Sequence, residues 1–252
     1  MEIILFCSHK GGCGKTTSAI NLSANLALAG KKTLLIDLDP QAASTTGLGI
    51  DEMSLKKQIY DVMVGDAQIS NVVQHTMIDG LDIVPSNLDL MGAELELSNQ
   101  LAREFVLRNK LSTVDQYDYI VLDSPPNLGV LTINGLVACT KLIVPLQCEF
   151  YSLKGMAQLL KMVDMVKTRI GNKPKRRILL TMFDGRANLS KQVVEQVRDY
   201  FNNEVYQTVI PRNVKLAEAP ARQKPIALHD PESTGAVAYK KFAEEVLNDA
   251  AT

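Results

Sequence analysis

From Ile3 the chain reads Ile-Ile-Leu-Phe-Cys-Ser-His-Lys-Gly-Gly-Cys-Gly-Lys-Thr-Thr17, an apolar run that passes through a glycine-rich turn into a segment of helical period. Glycines let a backbone fold close around an anion, so that several N–H groups point inward, and the start of a helix adds the positive end of its dipole. This is chemistry for phosphate. At this spacing Lys15 reaches the β and γ phosphates of a nucleoside triphosphate, and the Thr16 hydroxyl ligates Mg²⁺. The strict pattern G-x-x-x-x-G-K-[ST] fails at one place, because His9 stands where it requires glycine and a second lysine, Lys10, precedes Gly11 and Gly12. His9 itself reads as a loop residue of packing value rather than a catalyst.

Two further segments supply acids. Leu34-Leu-Ile-Asp-Leu-Asp-Pro-Gln41 ends an apolar run with Asp37 and Asp39, and Tyr119-Ile-Val-Leu-Asp-Ser-Pro-Pro126 ends another with Asp123. A carboxylate fixed at a strand terminus can hold the hydration shell of Mg²⁺ or orient an attacking water. Asp123 suits the metal role and Asp39 the water role.

These side chains need a rigid frame, and the rest of the sequence describes one. Short β-branched runs predict strands near Ile3–Cys7, Thr33–Ile36, Leu81–Val84, Tyr119–Leu122, Leu142–Pro145, Arg177–Met182 and Val205–Val209. Helical period between them predicts helices over Lys15–Ala29, Leu88–Lys110, Gly129–Ala138, Leu153–Ile170, Leu189–Phe201 and Gly235–Asn248, with Gly30 ending the first. The alternation implies an α/β fold with a mostly parallel twisted sheet and helices on both faces. No linker rich in Pro, Gly or Ser interrupts it, so residues 1–252 are expected to form one domain. Ligands of open α/β sheets bind at the carboxyl ends of the strands, where the loops from Ser8, Asp37 and Asp123 should converge.

Composition narrows the class. The chain has 252 residues, 46% hydrophobic and 22% charged, as in ordinary globular proteins and unlike disordered ones. The first apolar run is far shorter than a bilayer span and follows no basic segment, so a cytoplasmic location is expected. Cys7, Cys13, Cys139 and Cys148 form no C-x-x-C pair, which favours buried free thiols. Net charge is −1, which excludes a uniformly basic coat. Its distribution is uneven: residues 1–126 carry nine basic and sixteen acidic residues, net −7, and residues 127–252 carry eighteen and twelve, net +6. A positive face on the second half would suit a polyanion.

Lys10 to Thr16, K-G-G-x-G-K-[ST], resembles the deviant Walker A ATPases. Within that group Asp37-Leu-Asp-Pro-Gln41, Asp123-Ser-Pro-Pro126, Leu180-Thr-Met-Phe-Asp-Gly-Arg-Ala-Asn188 and Val209-Ile-Pro-Arg-Asn-Val-Lys-Leu-Ala-Glu-Ala-Pro220 resemble the ParA/Soj partition ATPases, in order and over nearly the whole chain. The resemblance implies ATP and Mg²⁺ as ligands and slow, partner-stimulated hydrolysis. It implies a cradle of Gly11, Gly12, Cys13, Gly14, Lys15, Thr16 and Thr17, and an adenine pocket with Pro211 and Asn213. Lys10 would reach the phosphates of a second copy, making ATP the glue of a homodimer. It further implies that the ATP dimer binds double-stranded DNA without reading sequence, through Arg186 and Lys215 among others. A ParB-like protein would release it, and the location would be nucleoid-associated. The segment Pro231-Glu-Ser-Thr-Gly235 lacks the arginine common there in the family. The alternative is a MinD-like ATPase that uses the same dimer switch on a membrane, but the acidic stretch Phe242 to Thr252 would be repelled by anionic lipid. Iron–sulfur carriers share the Lys10 loop, yet Cys139 and Cys148 are too far apart for a C-x-x-C.

Overall fold

Each expected strand is present in the computed structural model, which describes residues 1–149 and 152–250. In chain order the elements are β1 (Glu2–Phe6), α1 (Lys15–Leu28), β2 (Thr33–Asp37), α2 (Ala43–Gly47), α3 (Ile59–Met63), β3 (Gln74–His75), β4 (Leu81–Val84), α4 (Leu90–Ser98), α5 (Val106–Leu111), β5 (Tyr119–Asp123), α6 (Val130–Ala138), β6 (Lys141–Gln147), α7 (Ser152–Ile170), β7 (Lys175–Phe183), α8 (Asn188–Phe201), β8 (Val205–Pro211), α9 (Val214–Glu218), α10 (Ile226–His229) and α11 (Thr234–Ala250). The strands form one sheet in the order β3-β4-β2-β5-β1-β6-β7-β8, parallel except for the β3–β4 pair at one edge.

Side chains alternate across a strand, and β1 shows the result: Ile3 and Leu5 join the core on one face, Ile4 and Phe6 the core on the other. The first core takes apolar residues of α3 to α8, among them Leu90, Leu107, Leu131, Leu159 and Val197. The second takes α1, α10 and α11, where Phe242 meets Tyr206 edge-on at 5.0 Å. Gly30, at φ +80°, closes α1 by donating to the Ala27 carbonyl, while the Lys31 amide reaches Leu26. All four cysteines are buried free thiols.

Two expectations need correction. The helix expected over Leu88–Lys110 is broken into α4, a short 3-10 turn and α5, with Ala102 left-handed at φ +58°. The cause is tertiary: the buried Asn134 side chain accepts from the Leu107 amide at 3.1 Å and donates to the Arg103 carbonyl at 2.8 Å, fixing the second turn off the first axis. The segments holding α2, α3, α9 and α10 carry too few turns to show a period in the sequence. His9 is exposed, so it has no packing role.

At the amino end of the sheet an ion cluster anchors α11. Asp249 accepts from Lys141 at 3.0 Å, from Lys175 at 2.9 Å and from Arg177, and Glu2 shares Lys141 at 2.9 Å. The Lys141 side chain is 1% exposed. Such a charge is tolerable only while paired.

Candidate nucleotide and metal site

Parallel pairing of β1, β5 and β2 sets Phe6, Asp123 and Asp37 in one register row, so the loops leaving these strands begin side by side. The glycine loop that follows β1 is braced from beneath. Gln147, at the end of β6, donates from Nε2 to the Gly12 carbonyl at 2.8 Å, and Thr181 of β7 donates from Oγ1 to the Cys13 carbonyl at 2.9 Å. A trans peptide points its N–H away from its C=O, so these bonds turn the amides of Cys13 and Gly14 outward. Neither amide has an acceptor among the described residues. Gly12 and Gly14 hold φ of +69° and +90°, a geometry that a side chain resists. Gly14 is also the N-cap of α1 and supplies no side-chain acceptor, which leaves the first-turn amides to an anion.

The braces make a test of the loop. Changing Gln147 to Leu and Thr181 to Val together should weaken Mg²⁺-ATP binding about tenfold, ~1.4 kcal/mol, as read by titration of a fluorescent ATP analogue. Equal affinity would show that the loop keeps its shape unaided.

The three acids sit in different states. Asp37 is fully engaged: Oδ2 accepts from the Thr45 amide and hydroxyl at 2.9 and 2.8 Å, and Oδ1 from the Asp39 amide at 3.1 Å. Its work is to pin α2 against β2. Asp39 is half-buried, and its Oδ1 accepts from the Gln41 amide at 3.0 Å. Asp123 is wholly buried, with Oδ2 accepting from the Ser44 hydroxyl at 2.8 Å and Oδ1 lacking any hydrogen-bond partner. Burial raises the proton affinity of Asp37 and Asp123, and Asp123 beside it raises Asp37 further. The Ser44 and Thr16 hydroxyls and the Lys15 charge pull Asp123 back down.

A buried carboxylate oxygen without a partner, close to a threonine hydroxyl, fits Mg²⁺, which takes few protein ligands and keeps waters and phosphate oxygens. No group of three or more His, Cys, Asp or Glu among the described residues could hold a metal ion by itself. The residues present therefore fit an ion that arrives with its nucleotide.

Beside the start of α1 lies a cleft of about 230 Å³ lined by Gly14, Thr17, Met182, Pro211, Asn213 and Tyr239. Pro211 and Asn213 are thus brought to the loop. The Asn213 side chain already caps α9, accepting from the Lys215 amide at 2.7 Å, and donates to Thr234 Oγ1 at 2.7 Å. Tyr239 closes the floor through a 2.9 Å bond with Ser18.

The remaining cations lie apart from this cleft or at its rim. Lys10 Nζ is 3.1 Å from Glu149 of its own chain, and Glu149 also pairs with Arg212 at 3.3 Å. Arg186 is 92% exposed and forks onto Asp184, whose carboxyl it holds down to about 2. Lys215 pairs with Glu218 at 2.9 Å. Sequence reasoning missed Gln147, Thr181, Ser44, Thr45 and Glu149. The ends of β6 and β7 were visible as strand termini, but no local pattern marks a bond 135 residues away.

Comparison with known proteins agrees with this geometry. Residues 1–176 match the AAA domain family. The chain is 47% identical to the sporulation initiation inhibitor protein Soj of Bacillus subtilis, over 97% of this chain and 98% of that protein. It is 46% identical to the chromosome partitioning protein ParA of Myxococcus xanthus, over 98% and 88%. Among solved structures, a Mycobacterium smegmatis protein described as cobyrinic acid a,c-diamide synthase, with bound ATP analogue and magnesium, superposes with a TM-score of 0.87 at 33% identity, covering 100% of this chain and 96% of that one. With a phosphate loop that opens on Lys10, acids at the ends of β2 and β5, and this degree of identity over almost its whole length, the chain belongs to the ParA/Soj family of chromosome-partitioning ATPases.

Proposed function

We propose that the chain binds Mg²⁺-ATP on the Lys10–Thr17 loop and closes with a second copy around the nucleotide. In that form it holds double-stranded DNA without reading sequence, and it lets go after hydrolysis to ADP and phosphate, which a ParB-like partner stimulates. The observation that carries this reading is the register row of Phe6, Asp123 and Asp37, from which the glycine loop and the two acid-bearing loops leave side by side. The bound ATP analogue and magnesium of the M. smegmatis protein support the same ligands here.

In this reading the amides of Cys13 and Gly14 and the start of α1 grip the phosphates, with Gly11, Gly12 and Thr17 completing the wrap and Lys15 neutralising the β–γ bridge. Thr16 and Asp123 would hold Mg²⁺, which when bound offsets charge building on the β and γ oxygens. Asp39, the half-buried acid at the mouth, orients the attacking water. Pro211 and Asn213 flank the adenine. Lys10 must exchange Glu149 for the phosphates of the second copy, where it adds positive charge as the transition state forms.

Exposed Arg186 and Lys215 supply phosphate contacts to DNA once their acidic neighbours yield. Replacing either with Ala should weaken binding on all sequences alike and lower the salt slope by about one per contact removed. Unchanged affinity at both positions would put the DNA face elsewhere. The test of the function as a whole is a DNA titration with no nucleotide, ADP and ATP at several salt concentrations: tight, salt-sensitive binding is expected with ATP alone, and equal binding in all three would refute the switch.

Lipid docking finds less support. A helix that docks on lipid needs a free apolar face, and α11 turns Tyr239, Phe242 and Val246 into the core.

A further inference from the structure

We propose that Ser44, on α2, is a positioning residue for Asp123: its hydroxyl fixes the rotation of the carboxylate so that Oδ1 faces the metal. This inference rests on the reading above that Asp123 serves Mg²⁺.

The Ser44 hydroxyl, itself fully buried, donates to Oδ2 at 2.8 Å, while the Thr16 hydroxyl lies near enough to favour the same carboxylate. The terminal torsion of an aspartate is broad and roughly two-fold, so a short bond from a fixed donor such as Ser44 sets which way the carboxylate turns. With Oδ2 taken, Oδ1 is left buried and unpartnered beside the Thr16 hydroxyl and the Lys15 charge.

Ser44 is not needed to hold α2. That short helix is fixed by its neighbour Thr45, which donates twice to Asp37 and accepts from the Ser86 amide at 2.9 Å, joining β2, α2 and the turn after β4. The turn into α2 passes through Ala42 at φ +51°, a left-handed residue without glycine's freedom, tied by its amide to the Asp39 carbonyl at 2.9 Å. Backbone held in this disfavoured region persists where surrounding structure over-determines it. Here it carries Ser44 over the end of β5. The same turn starts at Asp39, so the water-orienting acid and the donor that aims the metal-facing acid share one anchored segment.

Partners that orient a metal's ligands typically change metal affinity about 10- to 100-fold when removed. The experiment compares full-length wild type, Ser44→Ala and Asp123→Asn by titrating Mg²⁺ against a fluorescent ATP analogue, with a parallel titration in EDTA and thermal unfolding without nucleotide. Ser44→Ala should need about tenfold more Mg²⁺ for the half-maximal change while its affinity in EDTA stays within about twofold of wild type. Added to Asp123→Asn, the same change should shift the Mg²⁺ requirement by less than about twofold, because its effect acts through that carboxylate. Equal Mg²⁺ requirements in wild type and Ser44→Ala would overturn the proposal. So would a loss of the same size in EDTA, or a melting temperature lowered enough to account for it. If wild type showed no Mg²⁺ dependence at all, the assignment of Asp123 to the metal would fall first, and this inference with it.

Discussion

A Lys10→Ala chain is expected to bind Mg²⁺-ATP within a few-fold of wild type yet remain a monomer and lose partner-stimulated hydrolysis by about 10³-fold or more, the scale of a cation supplied in trans to phosphoryl transfer. The energetic argument turns on where Lys10 rests. Its pair with Glu149 is 3.1 Å long, but the two side chains are 36% and 47% exposed. A pair this open is worth roughly 0–1 kcal/mol, whereas 10³-fold in rate corresponds to about 4 kcal/mol. Leaving Glu149 is therefore a small cost against what a dry, closed interface returns. Sedimentation with ATP checks the assembly and phosphate release checks the rate. If wild type and Lys10→Ala sedimented alike, the two-copy arrangement would be wrong even if each chain still bound nucleotide.

The second large effect lies far from the nucleotide. Asp249→Ala should destabilise the chain by roughly 3–5 kcal/mol, the range for breaking a buried pair from one side, because Lys141 is 1% exposed and would keep Glu2 alone. Burial pushes the Asp249 carboxyl up, but hydrogen bonds from Arg177, Lys175 and Lys141 outweigh it and hold the carboxyl below the usual range. A depressed folded value means that the stabilisation is present above the unfolded carboxyl's titration, about pH 4, and is lost as pH falls from there through the folded value. Chemical denaturation of wild type and Asp249→Ala at pH 7 and at pH 3 should show the gap narrowing in acid. A gap that stayed constant, or that fell below 1 kcal/mol at pH 7, would show that the cluster does not anchor α11.

The parts of this molecule that could be read from sequence are those whose causes are local. A parallel strand buried on both faces must be a short, nearly continuous apolar run, so β1, β2, β4 and β5 were visible within a residue or two. The glycine loop was visible because positive φ at Gly12 and Gly14 and an uncapped helix start need those residue types at that spacing. Asp123 stood out because it ends β5, and Asp39 because it lies two residues past the end of β2.

What escaped has non-local causes. The break between α4 and α5 contains no proline or glycine, and it is imposed by Asn134 from α6. Five-residue α2 shows no period, and Asp37 holds it through Thr45. Glu149 has no local mark as the partner of Lys10, since the two residues are 139 positions apart. Pro211 and Asn213, expected on the adenine side, line the cleft beside the start of α1. That expectation did not foresee that the Asn213 amide caps α9 and binds Thr234.

The most direct measurement is calorimetric titration of a slowly hydrolysed ATP analogue with Mg²⁺ into the purified chain, beside a Lys15→Ala control. One nucleotide bound per chain, with binding lost in the control, is the result expected if main-chain amides after β1 and Lys15 hold the triphosphate. No heat of binding by wild type, or the same affinity in Lys15→Ala, would contradict it.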